Sequence, residues 1–379
     1  RSWIHVVATP PGTSRTSSTG SRRSCSPSSS TLRSIVAAGA VAMLGAACAP
    51  APGSEVEPPA APARPSTSTP ARGYATLGER LGIGGCRLFP ADHAWHASIG
   101  SLEVLDRSAA MIAAAEDLPL RGSFGSGIWM GSRNGVPVNV VDGRTTRRLD
   151  VVVANDRGST GAHLDVPVPD APRFEGWPGK AWDAHLIVVD TSTCESRELL
   201  NVRDPSDDPL GLGGGRWYAD SAATFDLSSN AAPGRGATAA HSSLVAGLIR
   251  FDEIAAGEID HALSASLSTI SAGEPVWPAM GSDGRSDAPD AIPMGSWLRL
   301  RSDADVSRLG PQARIVAEAL RDHGAIVSDT GPGFVVRGEP DLRWDDDDID
   351  TLGELTMDDF EIVDAAPMMV SPDSYQLRR

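Results

Sequence analysis

The sequence predicts a mainly β protein, a β-sandwich or jelly-roll-like body with a few peripheral helices. Three observations lead there. Short runs rich in Val, Ile and Leu recur along the chain, many of them separated by Gly, Pro, Asp or Asn, as strands joined by turns are. Thirty-nine Gly and 29 Pro in 379 residues argue against a long helical bundle. Only two segments carry clear helix signals, and they do not alternate with strands as a doubly wound sheet requires.

Taken in order, Ser108 followed by AAMIAAAE reads as a short N-capped helix that ends before Pro119. The strand candidates are Val136 to Val141, Leu149 to Ala154, Ala184 to Asp190, Ser221 to Leu227, Glu258 to Leu267, Ser296 to Arg301, Ala325 to Ser328 and Phe334 to Arg337. The second helix spans Pro311 to His323: Pro311 suits a first turn, Ile315, Val316, Ala319 and Leu320 form an apolar stripe, and Gly324 follows as a C-cap. Both helices are expected to cover a sheet. Ala279 to Pro293 has the composition of a long mobile loop. With no internal repeat or low-complexity break, residues 74–366 read as one globular domain and 367–379 as a tail.

A net charge of −16 repels phosphate backbones and anionic headgroups, which argues against a nucleic-acid partner. Nearly all positive charge is arginine, Lys180 being the single lysine, and GC-rich coding bias explains that better than anion recognition does. Residues 1 to about 30 are rich in Ser, Thr and Arg and are assigned no fold. After Arg22, Arg23 and Arg33, the run IVAAGAVAMLGAA from Ile35 to Ala47 has the length of a secretory apolar core and is too short to span a bilayer. Leu44-Gly45-Ala46-Ala47-Cys48 resembles a bacterial lipoprotein signal, with Leu44 one place further from the cysteine than usual. That resemblance makes Cys48 the lipidation site, and the alternative is a plain secretory signal cleaved near Ala47 or Ala49. Residues 1–48 are thus read as an upstream segment and export signal, and 49–73 as an extended Pro/Ala/Ser/Thr-rich linker. The body is expected outside the cytoplasm, touching the membrane only through a lipid anchor.

Cys25 lies in the discarded segment and Cys48 at the anchor, which leaves Cys86 and Cys194 in the body. In an oxidising compartment two remaining thiols read as a disulfide, the alternative being two buried free cysteines. There is no CxxC or Cys/His ligand spacing, so no structural zinc site and no cofactor is expected.

The sequence also lacks a GxSxG nucleophile elbow, a GxxxxGK[ST] phosphate loop, an HExxH helix and a dinucleotide GxGxxG between strand and helix. Nine Trp against three Tyr and seven Phe is a skewed aromatic set. Indole faces with carboxylates, amides and Arg are what a sugar ring needs, and glycoside hydrolysis needs two carboxyl groups. Asp226 and Glu253 are the expected acid and base, chosen from Asp226, Asp252, Glu253 and Glu258, with His93 and His261 in support. Asp252 and Glu253 are adjacent, so in a strand only one of them can face Asp226. Trp95, Trp129, Trp277, Arg250, Asn230 and Tyr218 are the substrate-binding candidates, and each tryptophan has the alternative of filling the core. Arg250 has the alternative of a salt bridge, and His261 that of a hydrogen-bonded core residue. A lyase reading instead uses His93, His261 or Tyr218 as base, with Arg250 and Asn230 on a uronic carboxylate. Asp345 to Asp348 with Asp350 invites calcium, against a solvated turn or a helix N-terminus. His93 and His96 lack a third metal ligand nearby in sequence.

Several stretches together resemble a group of secreted bacterial proteins: PADHxW at Pro90 to Trp95, FGSGxW at Phe124 to Trp129, FDLSSN at Phe225 to Asn230, RxDE at Arg250 to Glu253, GEIxHAL at Gly257 to Leu263, VWPA at Val276 to Ala279, and a WDxDD stretch at Trp344 to Asp348. The resemblance covers about Cys86 to Asp364, includes both body cysteines and implies the disulfide without naming a reaction. The sequence departs from it at Ala232 to Val245 and in the loop from Ala279 to Pro293. The expected function is an exported envelope protein that binds polysaccharide and cleaves it by hydrolysis or elimination. A non-catalytic glycan-binding lipoprotein is the alternative.

Overall fold

The computed structural model describes residues 82–154, 160–179, 182–208 and 210–378, and the candidate signal, Cys48 and the linker lie outside them. The described residues belong to one compact unit, Pro70–Arg379. The first strands are β1 (Gly82–Ile83), β2 (Cys86–Arg87), β3 (Arg121–Ser123), β4 (Ile128–Trp129), β5 (Ser132–Arg133) and β6 (Val138–Val141). Next come β7 (Arg148–Ala154), β8 (Thr160–Pro167), β9 (Leu186–Asp190), β10 (Glu195–Leu200), β11 (Trp217–Ala219) and β12 (Ser221–Asp226). The last are β13 (Leu263–Leu267), β14 (Trp297–Leu300), β15 (Ala325–Thr330), β16 (Val335–Arg337) and β17 (Phe360–Val363). Four short helices accompany them: α1 (Ser108–Ala114), α2 (Phe251–Ala256), α3 (Pro311–Asp322) and α4 (Asp346–Asp350). The protein is mainly β with a few helices, as the sequence predicts.

Strands assemble into a six-stranded sheet ordered β17-β14-β15-β13-β16-β3, a four-stranded sheet β12-β10-β9-β6, a three-stranded sheet β11-β7-β8 and two hairpins. Side-chain alternation stacks them. On β9, Ile187 and Val189 enter a core shared with Trp297 of β14, Ile326 of β15 and Val363 of β17. Leu186 and Val188, on its other face, pack with Val151 of β7, Val166 of β8 and Ala219 of β11. Leu298, Ala325 and Val327 turn the opposite way from Trp297 and Ile326, into a third core with Val316 and Leu320 of α3. The order of layers is therefore helices, six-stranded sheet, four-stranded sheet, three-stranded sheet.

Both expected helices form, and α3 begins with Pro311 in its first turn. Gly324 follows it at φ +69°, where an added Cβ would lie 2.4 Å from Ile99. All eight strand candidates contain strands, but the one expected from Glu258 starts only at Leu263. Upstream, Arg250 to Glu253 form no strand: they open α2, where the Glu253 carboxylate accepts the Arg250 amide and left-handed Gly257 (φ +85°) ends the helix. The loop from Ala279 to Pro293 is pinned by buried Ala279 and Ile292 and by Thr330 on Asp283. The segment set apart as a tail is built into the body, since Tyr375 is buried and its amide reaches Asn230 O.

Cys86 and Cys194 form the expected disulfide, with Cα atoms 5.4 Å apart, tying the β1–β2 hairpin to the turn between β9 and β10. It closes a loop of 108 residues. In the chain-entropy model such a loop stabilises by roughly 4–5 kcal/mol. The Cys86→Ser/Cys194→Ser variant should lose several kcal/mol in chemical denaturation, and a loss below about 1 kcal/mol would show that the crosslink does not restrain the unfolded chain.

Candidate functional site

A cleft of about 850 Å³ lies along edge strand β3, between the β4–β5 hairpin and α4. Two motifs 220 residues apart build it. The Ser126 amide and hydroxyl both donate to Asp346, at 2.7 and 2.8 Å. Glycine on either side permits that approach, because a Cβ on Gly125 would lie 2.6 Å from an Asp346 oxygen and one on Gly127 3.0 Å. Below, the rings of Phe124 and Trp344 meet at 4.7 Å, and Phe251 stands edge-on to Trp344. Asn134 donates to the carbonyls of Gly122 and Phe124 and so fixes the loop leading into the hairpin.

At the rim Trp129 is 61% exposed, and its ring lies parallel to that of Trp182, with centroids 6.2 Å apart. Asp346, Asp350 and Glu354 line the same cleft from α4 and the turn after it. Glu354 is ion-paired with Arg308, whereas Asp350 carries no partner among the described residues. A smaller groove of about 400 Å³ holds Trp177 with Arg133 and Arg173, whose guanidinium carbons lie 5.8 and 5.6 Å from its ring centre.

The expected catalytic residues lie elsewhere. Asp226, at the exposed end of β12, accepts from the Ser228 amide and hydroxyl and closes a turn. Glu253 is buried on α2 against the Arg250 guanidinium and the His261 Nε2, the latter at 3.2 Å. No hydrogen bond or ion pair joins it to Asp226 among the described residues, and the placement of Asp252 and Glu253 on a strand is corrected: on α2 Asp252 turns out to Arg343, at 2.8 Å, and Glu253 turns in. Arg250, Glu253 and His261 do come together, as a buried ionic cluster. His261 Nδ1 donates to Ala262 O, at 2.8 Å.

His93 is buried, stacked on Phe89 at 4.2 Å, and its Nδ1 accepts the Trp95 amide; burial holds its pKa well below the usual value. Trp95 is core. Asn230 and Gln376 both donate to Asp92, so the PADHxW and FDLSSN stretches meet in a latch with the C-terminal segment. Trp277 is half-buried and donates to Ser374 O. Tyr218 is buried on β11, and burial, with Asp220 beside it, pushes its phenol up to about 12, poor for a base at neutral pH. Of the sugar-binding candidates only Trp129 lines the large cleft.

The aspartate run serves helix ends. Asp345 caps α4, and Asp348 accepts the Gln312 and Ala313 amides at the start of α3. Its members are not among the metal-ligand groupings of the described residues. His96 Nε2 donates to Leu88 O, away from any pairing with His93. Comparison with protein-family models, curated proteins and solved structures finds no match to this chain.

Two carboxyls near α2 set an acid–base signature. Burial opposes the charge on Glu253, but His261 and Arg250 outweigh it and hold the group at about 2. Burial pushes Glu339 up to about 7, aided by Glu253 and Asp341 and opposed by the Phe251 amide and Arg250. A depressed folded pKa contributes stability that is complete above about pH 4.5 and is lost as pH falls toward 2. A raised carboxyl pKa costs stability as pH rises from about 4.5 to 7. Glu339→Gln, which keeps an acceptor for the Phe251 amide, should be more stable than the parent at pH 8 and equal to it at pH 4. Glu253→Gln should lose about 3–5 kcal/mol at pH 7 by leaving Arg250 unpaired, and less below about pH 4. Urea unfolding at each pH reads both.

Proposed function

We propose that this is an exported glycan-binding protein whose binding surface is the cleft beneath Trp129. The observation that carries the reading is an indole 61% exposed at the rim of the 850 Å³ cleft, over a wall of carboxylates. A tryptophan face left in water beside a second parallel indole is costly unless something covers it. Sugar rings present C–H faces to such indoles, and their hydroxyls donate to carboxylates such as Asp350. The net charge of −16 favours a neutral glycan over a polyanion or nucleic acid. Export and a lipid tether rest on the apolar run before Cys48.

Binding without cleavage is the reading the geometry supports best. Asp346, Asp350 and Glu354 follow one another along a single wall, with Asp346 tied to Ser126 and Glu354 to Arg308. Glycoside hydrolysis needs carboxyl groups on both sides of the scissile bond, and the lyase candidates Tyr218 and His261 are buried away from this cleft.

The test is a binding panel of neutral and uronic polysaccharides against the purified chain, with reducing ends and absorbance near 235 nm followed in parallel. Expected are binding to a neutral glycan, no product of either kind, and at least a tenfold loss (about 1.4 kcal/mol) in Trp129→Ala with unchanged melting temperature. Asp226→Asn should bind like the parent. Wild-type affinity in both Trp129→Ala and Trp182→Ala would sink the proposal.

A further inference from the structure

Glu175, Asp183 and His185 each place one ligand atom within 4.8 Å of the others, the only such grouping among the described residues. Glu175 and His185 are buried and Asp183 is exposed. The His185 ring is oriented from behind. Its Nε2 lies 3.1 Å from Ala237 O, and since a carbonyl only accepts, Nε2 carries a hydrogen. Nδ1 is therefore the atom that faces Glu175 Oε2, at 2.6 Å. A histidine whose far nitrogen is anchored to a backbone carbonyl while the near one faces carboxylates has the arrangement of a metal-binding imidazole.

Backbone pairing holds the ligands in place. The Glu175 amide donates to His185 O, while the Asn201 and Val202 amides donate to Asp183 O and Ala184 O. Trp182 and Ala184, on either side of Asp183, have positive φ (61° and 44°), an uncommon conformation for residues with a Cβ. The charged groups around the cluster are Arg337 and Asp329, paired at 3.0 Å. Arg337 is thus already engaged by Asp329, and Glu175 and Asp183 are the two carboxylates that face His185.

We propose that Glu175, Asp183 and His185 bind a zinc ion, with water in the fourth position on the open side of Asp183. One imidazole with two carboxylates suits Zn²⁺ better than Ca²⁺ or Mg²⁺, which take oxygen ligands. Bonds of about 2.0–2.1 Å to a tetrahedral ion separate ligand atoms by roughly 3.3 Å. Glu175 must therefore back away from His185 by under about 1 Å. The ion takes the place of the proton between His185 Nδ1 and Glu175 Oε2, and that proton goes to solvent. The site does not require the glycan reading, although its ligand Asp183 directly follows the rim indole Trp182.

The experiment is calorimetric titration of the tag-free, chelator-treated chain with Zn²⁺ alone, and separately with Ca²⁺ and Mg²⁺, without glycan. One Zn²⁺ per chain is expected, with at least tenfold weaker binding in Asp183→Asn, a surface change that should leave the melting temperature of the metal-free protein unaltered. His185→Gln should behave alike toward zinc, and His163→Gln, at the exposed His163–Asp150 pair, should bind like the parent. No zinc binding, undiminished binding in Asp183→Asn, or loss only in His163→Gln would overturn the proposal.

Discussion

Strand β9 buries side chains on both faces, and the rest of the body is arranged around that constraint. Leu186, Ile187, Val188 and Val189 are all fully shielded. A strand with no wet face needs a sheet or another layer on either side, and two cores shared with different sheets supply it. The strand ends in Asp190, which accepts the Gly143 and Ser192 amides. Asn139 on neighbouring β6 donates to Ile187 O and Arg173 O. Polar side chains thus close the margins of a layer whose middle is dry.

The same layering forces charge inward. Glu198 sits on β10 beside Leu199, which faces the outer core, so its carboxyl turns toward the inner one and is fully buried. It is tolerated because the Ser196 and Ser243 hydroxyls and the Leu244 amide donate to it, although burial still raises its pKa. Arg250, Glu253 and His261 solve the same problem by mutual pairing. A carboxylate in a sequence motif is therefore as good a sign of a buried polar tie as of catalysis, and here RxDE and GEIxHAL meet as such a tie.

What the sequence made legible was local. The first turn of α3, its apolar stripe and Gly324 lie within fourteen residues of one another, and the covalent arithmetic of two thiols needed no geometry. Strand β10 escaped because its run, ESRELL, looks polar until Glu198 and Ser196 are seen to satisfy each other. Helix α2 escaped because a short segment led by Arg and Phe carries little periodicity, and its capping glutamate resembled a catalytic one. The cleft was half legible: both of its motifs stood out, but nothing in linear spacing says that Ser126 grips Asp346. Asp350 was legible only as a calcium candidate, Trp182 and Glu354 belong to no motif, and only the meeting of distant segments places them at the cleft.

The position of that cleft follows from the layers. The middle of the layers is dry, and the cleft opens where a sheet ends. Strand β3 is an edge strand paired on one side only, through β16. There FGSG turns away from the sheet, and the α4 segment crosses over to meet it through Ser126 and Asp346. One wall of the cleft is consequently a helix end rich in acids, because that helix end also caps α3 through Asp348. The other is a short hairpin with an indole at its tip. Acids placed by capping requirements fall on the capping side alone, which is why the site offers an aromatic face opposite carboxylates rather than two carboxylates opposite each other.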